Sequence, residues 1–188
     1  GLLIMYLNDT HTGNVIRKSD NKVVAPVSDP TDQDYVDYVT WVNEGNIPED
    51  FSSYEQSGQA LKDEQLKMWE LIKQERERRQ YDAVLVEGNW FHSDLVSRIK
   101  YEKFIKMGEN LPPTQWKTKS PGGGLFNPTF VTMTSTLLNK IANAIAVAEI
   151  SIFAAAEQHR VSMLAAENPS EYNYLEGWPV GFTDTYPE

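Results

Sequence analysis

The sequence has 188 residues and no cysteine, with 17 Lys and Arg against 27 Asp and Glu, a formal net charge of −10. This length suits one domain or two small ones, and 40% hydrophobic residues exclude a disordered chain. The acidic balance argues against nucleic acid as a partner, and the missing cysteines remove disulfides, thiolate metal sites and thiol nucleophiles. No run reaches the ~18 apolar residues of a membrane span, and the first residues lack a secretory-signal layout, so neither is expected.

The charge is uneven. Residues 1–58 hold three basic and ten acidic residues, and the tail 167–188 holds five acids and no base. The middle is nearly neutral. This contrast divides the chain into an acidic N-terminal region, 1–58, and a second domain, 59–188.

Leu2–Leu7 is a short apolar run that reads as a strand, with Lys22–Val27 as its partner and Asn14 and Asp20-Asn21 as turn residues between them. Asp29-Pro-Thr-Asp32 supplies a helix cap, Tyr35, Tyr38, Val39 and Val42 form one apolar face, and Gly45 ends the helix. Asn46–Gly58 reads as a loop and hinge. Gln59–Gln80 is a highly charged helix with a narrow stripe of Leu61, Met68, Trp69 and Ile72. Asp82–His92 reads as a hairpin around Gly88-Asn89, and Ser93-Asp94 caps a helix that stops at Gly108. Trp116–Thr118 and Phe130–Met133 form a second strand pair across the glycine-rich stretch Ser120–Pro128. Thr134 or Ser135 then caps a helix running to about Ala166.

That last helix carries two stripes. Leu138, Ile141, Ile145, Ala148, Ile152 and Ala155 follow a 3-4 spacing, and Val147, Ile150, Ala154 and Val161 make the second. A helix apolar on two faces lies centrally in a fold or in an oligomer interface. Leu138, Ile141, Ile145 and Ile152 are taken as candidate interface residues, together with Trp178 of the aromatic tail, which is expected to fold back onto the body. The fold class is α+β, with short hairpins packed on amphipathic helices and one long C-terminal helix.

The chemistry is sparse. His92 and Asp94 are too few ligands for a metal, and the expected role of His92 is half-buried support of a helix start. His159 is expected to meet solvent or glutamates, and His11 lies in a turn. Gly122-Gly123-Gly124 lacks the Gly-Lys-Ser/Thr ending of a phosphate loop. Glu49-Asp50 and Asp63-Glu64 have no apolar pocket to raise one pKa for acid-base work. No catalytic residue, cofactor or metal is assigned, and the expectation is a protein that is not an enzyme.

Several separated pieces resemble a family of phage tail, tail-fibre and tail-fibre-assembly proteins carrying a C-terminal domain of unknown function. They are Glu75-Arg-Glu-Arg-Arg79, Val84–Asp94, Lys106–Pro112, Trp116-Lys-Thr118, Phe130–Thr134, Ile152–Arg160 and Gly177-Trp-Pro179, in that order. The upstream segment Tyr38–Glu49 is similar to one found in such proteins. The resemblance implies a structural part of a bacteriophage tail or tail fibre, made in the host cytoplasm and residing in the virion. It implies partners among other tail or fibre proteins and a homo-oligomer, a trimer by analogy with fibres. A tail-fibre assembly chaperone that leaves the particle is the alternative. A virion protein that binds a host surface glycan is a remote third.

Overall fold

The computed structural model describes residues 5–187. The chain divides into two compact units between Glu64 and Gln65. The fold is α+β, with short strands, amphipathic helices and one long helix near the C-terminus.

Unit 1 is built on a four-stranded sheet of β1 (Tyr6–Asp9), β2 (Val15–Arg17), β3 (Val23–Ala25) and β4 (Glu49–Phe51), in the order β3-β2-β1-β4. β1 and β2 are antiparallel, as are β2 and β3, while β4 lies parallel to β1. The expected pairing of the first run with Lys22–Val27 is therefore interrupted by β2, and the expected loop 46–58 contains β4 and the short helix α2 (Ser53–Gln56). Residues 2–4 of the first predicted strand lie outside the described residues. The tight β1–β2 turn depends on Asp9, whose buried carboxylate accepts hydrogen bonds from the His11 N–H, the Thr12 hydroxyl and the Ser53 N–H. Burial would raise its pKa, but these donors outweigh that and hold the carboxyl well below the usual range.

Helix α1 (Gln33–Asn43) starts at Asp32, whose side chain accepts from the N–H groups of Asp34 and Tyr35. It packs Tyr35, Tyr38 and Trp41 on Tyr6, Val15, Val24 and Ala25. Tyr6 meets Tyr38 and Trp41 edge-on at 5.2 and 5.0 Å. Val42 stays exposed, because Trp41 takes the place on the core side that the spacing had assigned to valine.

Helix α3 (Gln59–Gln80) has the predicted bounds, but its first turn belongs with unit 1. Asp63 accepts from the Tyr54 hydroxyl and from Gln59 Nε2. The boundary therefore falls inside the helix rather than in the preceding loop.

Unit 2 continues with the hairpin β5 (Val84–Val86) and β6 (Asn89–Phe91), helix α4 (Leu95–Met107), the pair β7 (Thr114–Lys117) and β8 (Phe130–Met133), helix α5 (Ser135–Leu164) and a last turn α6 (Phe182–Thr185). The β5–β6 turn is Glu87-Gly88, both at positive φ, and Asn89 already pairs with Val86. The turn thus sits one residue earlier than the sequence suggested. Asp94 caps α4 through the Ser97 N–H, Gly108 ends it at φ 54°, and Thr134 caps α5 through the Leu137 N–H.

Helix α5 spans 30 residues, or ~45 Å. Its N-terminal half packs Leu137, Leu138, Ile141 and Ile145 against Val84, Val86, Phe91, Tyr101 and Met133. Its C-terminal half packs Ile152, Ala156 and Met163 against Met68, Ile72 and Trp178. The aromatic tail does fold back. Trp178 and Phe182 are buried, and the indole N–H of Trp178 donates to the Tyr174 carbonyl at 2.7 Å.

Candidate functional site

The two stripes of α5 have different fates. Leu138, Ile141, Ile145, Ile152 and Trp178, taken from the sequence as interface, are at most 9% exposed and are covered by their own chain. They are core residues of unit 2. Periodicity identifies an apolar face but does not say whether the same chain or another covers it.

The second stripe is open. Val147 and Ile150 are 62% and 71% exposed, and Phe153, Val161 and Leu164 about half exposed. Val147, Ile150, Ala154, Val161 and Leu164 fall on alternating three- and four-residue steps, with Glu157 at the one polar step between them. The neighbouring charges are engaged within the chain. Glu149 pairs with Arg98 of α4, and Glu157 with Arg160 at 2.8 Å.

An apolar groove of about 450 Å³ adjoins this stripe. Ala144, Val147 and Ala148 of α5 line one side, Leu85 and Trp90 of the hairpin another, and Val180 the tail side. The alanines keep its floor low, and Leu85 and Val180 stand exposed at its rim. Stripe and groove meet at Val147 and form one continuous open apolar feature on unit 2. That makes it the candidate surface for contact with another molecule.

By length and composition alone α5 is also long and apolar enough to cross a membrane. Counting uninterrupted apolar runs missed this, because Glu149 and Ser151 break the run while the average stays high. The same test is passed by core helices of soluble proteins, and one face of α5 is packed in the core of unit 2.

The polar candidates are structural. His92 is half-buried, its carbonyl accepts from the Tyr101 hydroxyl at 2.8 Å, and Asp94 is occupied by the Ser97 N–H and hydroxyl. His159 is buried, contrary to its expected solvent contact. Its Nδ1 lies 2.9 Å from the Tyr172 hydroxyl and its ring 4.7 Å from Trp178. Among the described residues, no three His, Asp or Glu gather to hold a metal. The three glycines form a closed turn, clipped by Lys117 Nζ on the Gly123 carbonyl at 3.1 Å.

The sequence reading missed the clamp on the tail. Arg79 is buried and donates Nε to Glu75 at 2.6 Å and both terminal nitrogens to Asp184, at 2.8 and 3.2 Å. It also reaches the Pro179 carbonyl and lies over the Trp178 ring at 5.5 Å. Buried Asp82 accepts from the Thr183 N–H at 2.9 Å, the Thr183 hydroxyl at 2.7 Å and Lys119 at 3.0 Å. Burial would raise the pKa of Asp82, but these donors prevail and lower it.

A family described as Domain of unknown function (DUF4376) matches residues 63–176, more than half of the chain. The chain belongs to this family. No curated protein and no solved structure matches it. The match starts two residues before unit 2 and stops short of Trp178 and Asp184, so the tail that completes the clamp lies outside the DUF4376 span. Within the span, Arg79, Gly88, Asp94, Trp116 and Thr134 act as clamp, turn, cap, core and cap. These residues build the scaffold, whereas the stripe and groove are surface.

The histidines give unit 2 a pH dependence. Burial lowers the pKa of both His159 and His92 from 6.5; nearby Arg79 adds to this for His159, and Lys119 for His92. A depressed histidine pKa means that the unfolded chain binds the proton first, so stability is present above 6.5 and is lost as pH falls below it. Urea midpoints should drop between about pH 7 and pH 5. That interval lies above the range where the paired carboxylates titrate. In His159→Gln the drop should be smaller, leaving the part due to His92.

Proposed function

We propose that this chain is a structural component of a bacteriophage tail or tail fibre and acts by protein–protein assembly, without catalysis or a cofactor. The observation that carries the reading is the open stripe of α5 with its adjoining groove, an apolar surface on a helix whose opposite face is packed in the core of unit 2. The resemblance of the motifs between Glu75 and Pro179 to tail and tail-fibre proteins supports the choice of assembly. Copies of unit 2 pack on one another along the stripe, and a side chain of the neighbour fills the groove between Leu85, Val147 and Val180. Unit 2 holds 13 basic and 15 acidic residues, so its copies approach without strong repulsion. Unit 1, with four basic and twelve acidic residues, is the attachment region and favours a basic partner. Three-fold assembly is the order implied by likeness to fibres.

Quantitative mass spectrometry of purified particles tests this. The expected result is several copies per virion, in a multiple of three. Absence from particles, with the chain abundant in the infected-cell lysate, would overturn the structural role in favour of a departing assembly chaperone.

A further inference from the structure

Unit 2 has a second cavity of different character, about 190 Å³, between the β5–β6 turn, the segment between β7 and β8, and the C-terminal residues. Trp90 and Tyr186 bring aromatic rings to it, and Ser120, Asn127 and Thr129 bring two hydroxyls and an amide. The rings are held from behind by buried Phe182, which meets Trp90 at right angles at 5.8 Å and Tyr186 at 5.0 Å. Among the described residues, the indole N–H of Trp90 and the side-chain polar groups of Ser120, Asn127, Thr129 and Tyr186 have no hydrogen-bond partner in the chain, and none is buried.

Charge and size narrow what fits. Among the described residues, Lys119 is the one charged group lining the cavity, and its ammonium is held by Asp82 at 3.0 Å and sits 4.6 Å over the Phe182 ring. Among the described residues no unpaired cation faces the cavity to bind a phosphate, and no carboxylate lines the wall to bind a cation. The volume lies below the roughly 300–1,000 Å³ of pockets for drug-sized ligands. The open groups include a pure donor, an amide that both donates and accepts, and hydroxyls that do either. Such a mixture beside aromatic faces suits a small neutral ligand whose edge is hydroxyls and whose faces are C–H.

We infer that this cavity binds one neutral sugar ring, free or at the end of a glycan chain. The inference does not rest on the assembly reading: no residue of the α5 stripe contributes to the cavity, and although Trp90 also borders the groove, Asn127 lies in the cavity alone.

Saturation-transfer NMR of the full chain with a panel of neutral methyl hexopyranosides tests it. At least one should bind saturably with a Kd on the order of 1 mM. Two variants examine the site, exposed Asn127→Ala in a surface turn and Trp90→Phe, which keeps a ring but removes the N–H. Each should weaken binding roughly fivefold or more while the circular dichroism stays unchanged. An oligosaccharide ending in the same sugar that binds about tenfold tighter identifies a glycan as the source. Equal affinity identifies the free sugar. Absence of binding across the panel would overturn the inference, as would affinity unchanged in both variants or equal binding of inorganic phosphate.

Discussion

Arg79→Ala is expected to destabilise unit 2 by about 3–5 kcal/mol, the scale for removing one partner from a buried ion pair. Arg79 is 8% exposed and joins α3 to the tail through Glu75, Asp184, the Pro179 carbonyl and the Trp178 ring. Without it, Glu75 keeps only Arg78 as a partner, at 2.7 Å, and Asp184 keeps the Gly181 N–H. The arginines lower the pKa of both carboxylates, so the loss is felt from neutral pH down to their titration range. Urea denaturation followed by tryptophan fluorescence measures the effect, with early exposure of Trp178 as its signature. Arg79→Lys keeps the charge but not the two-pronged contact with Asp184, and should recover only part of the loss. Arg76→Ala is the control, because Arg76 pairs only with exposed Glu77 and should cost under about 1 kcal/mol.

A matched pair of substitutions on α5 separates its two faces. Ile145 is 9% exposed and packed with Tyr101, Leu138 and Ile141. Ile145→Asp puts a carboxyl into this apolar packing and removes the side chain that fills it, so a loss of about 4 kcal/mol or more is expected, enough to unfold a marginal unit. Ile150 lies five residues along the same helix and is 71% exposed. At protein concentrations where the wild type is monomeric, Ile150→Asp should leave the unfolding free energy within about 0.5 kcal/mol of wild type, and at higher concentrations it should abolish self-association. If the two variants behaved alike, the assignment of one face to the core and the other to a partner would be wrong.

The long elements of unit 2 were legible because their ends carry strong local signals. Asp94, Gly108 and Thr134 act as the caps their residue types announce, and the helix Gln59–Gln80 begins and ends where read. Unit 1 was less legible. β2 and β4 are three residues each, and β4 reads Glu-Asp-Phe, whose pairing with β1 comes from chain geometry rather than from apolar alternation. The clamp was hidden for another reason. Glu75 and Arg79 look like a solvated helix-surface pair, and their burial depends on Asp184, 105 residues further along. His159 was misplaced in the same way, since Tyr172 and Trp178 reach it only once the tail has folded back. At the candidate site the two stripes of α5 were visible as spacing, but which one is open follows from where the hairpin, α4 and the tail pack.

Sedimentation velocity of the purified chain and of Ile150→Asp, over a range of protein concentrations, bears most directly on the proposed assembly surface. The expected result is a concentration-dependent oligomer for the wild type, trimeric at saturation, and a folded monomer with the same circular dichroism for the variant. A wild-type chain that stays monomeric at every concentration, or a variant that associates as the wild type does, would contradict the open stripe of α5 as the surface through which this protein assembles.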